Sequence, residues 1–199
     1  MKSHAVNNKP YFICGWYINK NICNDLIKYF ENSPDKTPGA FSIGKDGKFG
    51  VDKKAKSSTD VHITLNNRDK EISNYYTHLS KVVEEYKKKY KYCDAQQDEW
   101  AIVEDWNIQR YKPNEGYFAN HYERSGPATV YRHLAFMTYL NDVNDRGQTE
   151  FYYQKLKIKP ETGLTLIWGT DWTFTHRGIT SPTETKYIAT GWYSYERRR

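Results

Sequence analysis

The sequence predicts an α+β protein, with helices in the first half of the chain supporting one side of a β-rich second half. Three observations carry that expectation. Two segments before residue 100 repeat apolar side chains at helical spacing. From about residue 101 the pattern changes to short alternating, β-branched and aromatic runs. Gly, Pro, Asn and Asp break the gaps between these runs, as in a sandwich or barrel. At 199 residues the chain suits one well-buried domain, 1–199, with helical support over about 1–100 and a β-core over about 101–195.

In chain order, "NKNICNDLIKYFEN" (19–32) places Ile22, Leu26 and Tyr29/Phe30 on one helical stripe, with Asn and Asp near its start as caps. "SPDKTPGAFSIGKDGKFG" (33–50) is rich in Pro and Gly and reads as a loop. "DKEISNYYTHLSKVVEEYKKKY" (69–90) aligns Ile72, Tyr75/Tyr76, Leu79, Val82/Val83 and Tyr86 as a long amphipathic helix. Strands are expected at 106–112, 132–141, 149–159, 163–169 and 185–195.

Eighteen Tyr, 8 Phe and 6 Trp exclude a disordered chain, which lacks the large side chains that offset ordering entropy. The net charge of +6 would suit an anionic partner, but much of it lies in "EEYKKKYKY" (84–92) and the terminal "ERRR", runs that more often form solvated faces. Three cysteines, Cys14, Cys23 and Cys93, form no CxxC pair, and an odd count argues against a disulfide framework. No apolar leader or long apolar run is present, so a reducing cytoplasm, cellular or that of an infected host, is the default expectation and no membrane partner is expected.

"GYFANHYERSG" (116–126) carries a His and a Glu two residues apart. Non-haem iron takes two imidazoles and one carboxylate on one side of the metal, with three positions left open. On an extended segment His121 and Glu123 point the same way. A second histidine must come from His4, His62, His78, His133 or His176. His4 lies in a terminus expected to fray, His78 on the long helix, His62 before the β-core, and His133 reads as an ordinary half-buried strand residue. His176 follows an aromatic run and precedes an Arg-Gly turn, and Lys186 trails it by ten residues. Lys186, Ile188, Thr190 and Trp192 share one face of the last strand, an odd place for a lysine unless it meets an anion in a barrel interior.

These residues resemble the iron(II)/2-oxoglutarate-dependent dioxygenases, and within them the prolyl 4-hydroxylase-like group. The likeness extends to "YKPNEGYFANHYE" (111–123), "RHLAFMTYLNDVNDRGQTEF" (132–151), "KIKPETGLTLIW" (157–168) and "HRG…KYIATGW", about 101–195 in all. Two departures stand out: Glu123 where Asp is commoner, and Arg146-Gly147-Gln148-Thr149 in place of Gly-Gly-x-Thr.

The resemblance implies a double-stranded β-helix (jelly-roll, cupin-like) core and Fe(II) held by His121, Glu123 and His176. It further implies 2-oxoglutarate anchored by Lys186, with Tyr111, Tyr117, Thr190 and Trp192 completing its pocket, dioxygen as oxidant and ascorbate as an optional further cofactor. Arg132 matches a position turned toward substrate, and 41–60 would be a lid. The activity implied is hydroxylation of a peptidyl residue, proline favoured, on a peptide or protein substrate, with succinate and carbon dioxide as products. Rival readings are an oxygenase of the same superfamily acting on nucleic acid or a small molecule, and a catalytically inactive jelly-roll binding module. The nucleic-acid branch places two arginines six apart after its distal histidine, where this chain has Lys186 and Trp192.

Overall fold

Apolar periodicity and capping account for the two helices of the computed structural model, which describes residues 1–43, 48–95 and 98–196. Helix α1 (Lys20–Asn32) starts at Asn19, whose side chain accepts the Asn21 N–H, and it buries Ile22, Cys23, Leu26 and Phe30. Helix α2 (Lys70–Lys89) buries Ile72, Tyr75, Leu79, Val82, Val83 and Tyr86, the stripe read from the sequence. The lysines at its end are engaged locally: Lys87 pairs with Glu84 and Asp94, and Lys88 with Glu85. With Lys89 and Lys91 adding positive charge, the run is a solvated face whose charges are paired only in part.

Fifteen strands form among the described residues. They are β1 (Cys14–Tyr17), β2 (Thr37–Pro38), β3 (Phe41–Ile43), β4 (Lys48–Gly50), β5 (Lys56–Ser57), β6 (Thr59–Ile63), β7 (Trp100–Ala101) and β8 (Trp106–Tyr111). The rest are β9 (Gly116–Tyr117), β10 (Arg132–Tyr139), β11 (Thr149–Phe151), β12 (Leu156–Ile158), β13 (Leu164–Gly169), β14 (His176–Gly178) and β15 (Lys186–Tyr195). The major sheet runs β1-β13-β10-β15-β8-β6-β2, with β7 added to one end of β15. A minor sheet runs β12-β11-β14, and β5 pairs with β9. All of these pairings are antiparallel.

Strand alternation splits the interior into two clusters. On β10, Leu134 and Phe136 join the helices, whereas Ala135, Met137 and Tyr139 turn to the other face. There they meet Phe151 and Ile158 of the minor sheet. Tyr139 ties the two sheets together, its hydroxyl donating to Thr149 Oγ1 at 2.6 Å. Within the helix-side cluster one polar network is buried and satisfied: Tyr75 Oη lies 2.8 Å from Thr138 Oγ1, itself 2.8 Å from Thr165 Oγ1. This mostly antiparallel sheet with two helices is consistent with a double-stranded β-helix.

Phe136 is fully buried against Tyr75, Trp106 and Tyr193. Phe136→Ala is expected to cost about 3–5 kcal/mol, read as a fall in the urea midpoint.

Several expectations need correction. The first half is not only helical: β1 and β6 lie in the major sheet, because each offers a buried face to a strand far away in sequence. The 33–50 segment is not all loop, since it holds β2 and the β3–β4 pairing; residues 44–47 lie outside the described set. The single strand expected over 149–159 is two, reversed by a turn at 152–155 in which Lys155 takes φ +48. His4 is not in a frayed end: its Nδ1 accepts the Val6 N–H, and its backbone N–H donates to Gly15 O at 2.8 Å. The three cysteines are free thiols, as the odd count implied. Among the described residues no helix is long and apolar enough to cross a membrane.

Candidate metal centre

The site lies where the lead-in after β9 meets β14. His121 and His176 form an isolated antiparallel bridge, each N–H donating to the other's carbonyl at 2.9 Å. That bridge sets the two imidazoles side by side, ring centroids 4.3 Å apart. Glu123, two residues on, brings Oε1 to 3.4 Å from His176 Nε2 and 4.0 Å from His121 Nε2. One ligand atom from each of the three residues falls within 4.8 Å of the other two.

The donor chemistry fits a metal. His121 Nδ1 faces Ala119 O and His176 Nδ1 faces Phe174 O, each at 2.9 Å. A ring nitrogen against a carbonyl must carry the proton, which leaves Nε2 as the nitrogen each ring can offer to a metal. Burial holds His121 near pKa 3, aided by His176 and opposed by Glu123, so its ring is neutral at physiological pH. Burial pushes Glu123 up, but its close contact with His176 and the neighbouring His121 and Arg132 outweigh that and hold it at about 2. Two imidazole nitrogens and an ionised carboxylate are a hard-to-borderline set suited to Fe(II). Tyr117 stacks flat on His121, centroids 3.6 Å apart at 9°, and fixes the ring plane.

A cavity of about 390 Å³ opens from this cluster. Lys186, Ile188, Thr190 and Trp192 all line it, as the shared strand face required. Lys186 is 6% exposed; its Nζ donates to Gly147 O at 2.9 Å and sits 5.1 Å from the Tyr111 ring centre. Burial alone lowers its pKa to about 8, so this ammonium carries an uncompensated desolvation cost. The acceptor belongs to the Arg146-Gly147 turn, whose residues take φ +66 and +77, so the departure from Gly-Gly keeps the left-handed geometry at a small steric cost.

The other expected pocket residues are distributed unevenly. Tyr111 lines the cavity, but its hydroxyl donates to Gln109 Oε1 at 2.6 Å. Thr190 Oγ1 donates to Phe136 O at 3.0 Å. Trp192 Nε1 donates to Glu123 Oε2 at 2.6 Å, so its polar edge serves the carboxylate. Arg132 also lines the cavity; it is 7% exposed and bound to Glu104, with 2.7 Å between Nη2 and Oε2. In the 41–60 segment, Phe41, Lys56 and Asp60 form part of the cavity wall, and Phe41 lies against Tyr117 with centroids 5.8 Å apart.

Sequence reasoning missed Lys56, Asp60, Gln109, Thr149 and Trp168, all on the cavity wall, and Glu104 behind it. Lys56 and Asp60 form a buried ion pair at 2.8 Å. No local motif marks these residues; a period-2 reading of "STDVHI" would have found Asp60 on a strand face.

Residues 106–194, a little under half the chain, match the family model of the 2OG-Fe(II) oxygenase superfamily. Among curated proteins no sequence matches. Solved structures share the fold. A viral collagen prolyl hydroxylase from Paramecium Bursaria Chlorella virus-1, in a 2OG complex, is 20% identical with TM-score 0.66, covering 96% of this chain and 98% of that one. A Pseudomonas putida prolyl-4-hydroxylase is 12% identical with TM-score 0.69, covering 97% and 98%. A Trichoplax adhaerens prolyl hydroxylase, in complex with a hypoxia inducible factor oxygen degradation domain peptide fragment, is 16% identical with TM-score 0.71, covering 95% and 87%. The superfamily works with Fe(II), 2-oxoglutarate and dioxygen. Residues 106–194 are thus similar to the 2OG-Fe(II) oxygenase superfamily, and the chain as a whole has the fold of the prolyl 4-hydroxylases.

Proposed function

We propose that this protein hydroxylates a peptidyl residue, proline favoured, with Fe(II) held by His121, Glu123 and His176 and with 2-oxoglutarate anchored by Lys186. The observation that carries this reading is the convergence of the three donors beside a cavity that also holds an ammonium with no carboxylate partner among the described residues. The prolyl hydroxylases named above, one with a peptide bound, support the peptide preference. Residues 1–199 are read as one oxygenase domain, a double-stranded β-helix with the N-terminal helices on one side.

Fe(II) and 2-oxoglutarate, when bound, supply oxidation of an unactivated C–H bond by dioxygen, with release of succinate and carbon dioxide. The chain's own residues do the positioning. The backbone bridge between His121 and His176 sets the spacing of the imidazoles, and Tyr117 holds one ring in plane. Lys186 offers a charge-assisted donor to the far carboxylate of 2-oxoglutarate, and the Tyr111 ring shields that contact from water. Ile188, Met137 and Trp168 keep the cavity wall apolar, which limits water at the reacting centre.

The test is an assay with Fe(II), 2-oxoglutarate and a peptide panel that includes Pro-rich sequences. Succinate formation coupled to one added oxygen on a peptide is the expected result. Stimulation by oligonucleotides alone, falling steeply with salt, would move the substrate to nucleic acid. Retained metal with no turnover on any substrate would favour a binding module.

A further inference from the structure

Glu123 offers two oxygens, and the fold gives them different neighbours. Oε1 faces the imidazoles, 3.4 Å from His176 Nε2 and 4.0 Å from His121 Nε2. Oε2 accepts the Trp192 indole N–H at 2.6 Å and lies 4.0 Å from Arg132 Nη1. Arg132 is fixed on every side. Its Nε and Nη2 donate to Glu104 Oε2 at 3.0 and 2.7 Å, and its Nη1 donates to the Glu123 carbonyl at 3.1 Å. The guanidinium carbon sits 3.5 Å from the centre of the Trp192 ring. Glu104 in turn accepts the Ser194 hydroxyl at 2.6 Å.

We infer that Trp192, Arg132 and Glu104 form a carboxylate clamp: the Trp192 N–H occupies Oε2, Arg132 held by Glu104 buttresses the indole, and Oε1 alone is presented to the metal, so that Glu123 ligates through a single oxygen. The inference rests on the metal site proposed above. Its logic is coordination number. The iron must keep three open positions, two for the 2-oxo acid end of the cosubstrate and one for dioxygen. A carboxylate binding through both oxygens would take one of them. Glutamate has one more torsion than aspartate and reaches farther, so it needs a firmer restraint against swinging its second oxygen inward. A short N–H···O⁻ bond supplies that restraint, and the cation over the indole face strengthens the N–H as a donor. Glu104 neutralises Arg132, which leaves the Glu123 charge available to the metal. Trp192 and Arg132 are thus positioning residues, and the Glu that departs from the commoner Asp is matched by groups arranged around its longer side chain.

The experiment uses the full chain with Co(II), whose visible spectrum reports coordination number without turnover. Wild type, Trp192→Phe, Glu104→Gln and His176→Ala are titrated with Co(II) and their absorption bands compared. Trp192→Phe keeps the ring over which Arg132 stacks and loses only the N–H. It is expected to weaken Co(II) binding about tenfold, as for other groups that support a metal ligand, and to change band intensity as Oε2 enters the coordination sphere. Glu104→Gln, which keeps a hydrogen-bonding group, gives a smaller loss in the same direction and reads the clamp independently if Trp192→Phe does not fold. His176→Ala binds no Co(II). Wild-type affinity and spectrum in both clamp variants, with His176→Ala still empty, overturns the clamp and leaves the metal site standing. Wild-type affinity in His176→Ala overturns the site itself. Unchanged Co(II) binding in Trp192→Phe with weakened 2-oxoglutarate or peptide binding makes Trp192 a contact for those molecules and also overturns the clamp.

Discussion

His176→Ala is expected to bind no Fe(II) at micromolar metal and to form succinate only at background. The residue does more than donate one nitrogen. Its backbone pairs with His121 and its Nε2 is the nearer partner of Glu123 Oε1, so alanine keeps the strand bridge but strips the ionised carboxylate of its closest contact. Two remaining donors cannot hold a labile divalent ion against water, because each lost ligand removes a bond that the others cannot replace. Metal titration and a succinate assay measure the effect, and circular dichroism confirms that the fold survives. Wild-type metal affinity in the alanine variant would remove the basis of the proposed chemistry.

Lys186→Met should act in two opposite directions. With the ammonium gone, the far carboxylate of 2-oxoglutarate loses its charged partner in a buried setting, a loss of about 2 kcal/mol or more, so affinity falls about 30-fold or beyond. Fe(II) binding is unchanged, since Lys186 makes no contact with the three donors. The ligand-free protein, in contrast, should gain stability. Lowering the Lys186 pKa from 10.5 to about 8 means the folded state bears a cost on the order of 3 kcal/mol at neutral pH. Loss of the bond to Gly147 O offsets part of the gain, leaving about 1–2 kcal/mol.

The sign fixes the pH window. Between about pH 8 and 10.5 the unfolded chain holds a proton that the folded one has released, so wild-type stability rises with pH there. The cost is complete below 8 and gone above 10.5. Urea midpoints for the two proteins should therefore differ most at pH 7 and converge toward pH 10.5. A methionine variant that is less stable than wild type at pH 7 would mean that the lysine already has an anionic partner.

The helices were legible because a long stripe such as Ile72, Tyr75, Leu79, Val82, Tyr86 has few alternative readings. The cluster of His121, Glu123 and His176 was legible because a motif fixes residue type and spacing together. Strands β1 and β6 were not: four or five residues make too short a period, and what holds them is a partner elsewhere in the chain. The same limit hid the clamp. The face of Trp192 could be read from alternation along β15, but its acceptor could not, because Glu123 reaches it only through the barrel's curvature. Glu104 shares no local pattern with Arg132, from which it is separated by 28 residues, and nothing short of the fold pairs them.

Strand β1 has a consequence for how the molecule is made. Cys14 sits opposite Ile167, so the ladder at that margin closes a loop of about 150 residues. A ribosome delivers the first partner long before the second. Until residues 164–167 have emerged, β1 with its buried Trp16 lacks the strand it pairs with. The nascent chain therefore stays adhesive through most of its synthesis, and chaperone demand should track translation speed across the second half of the message.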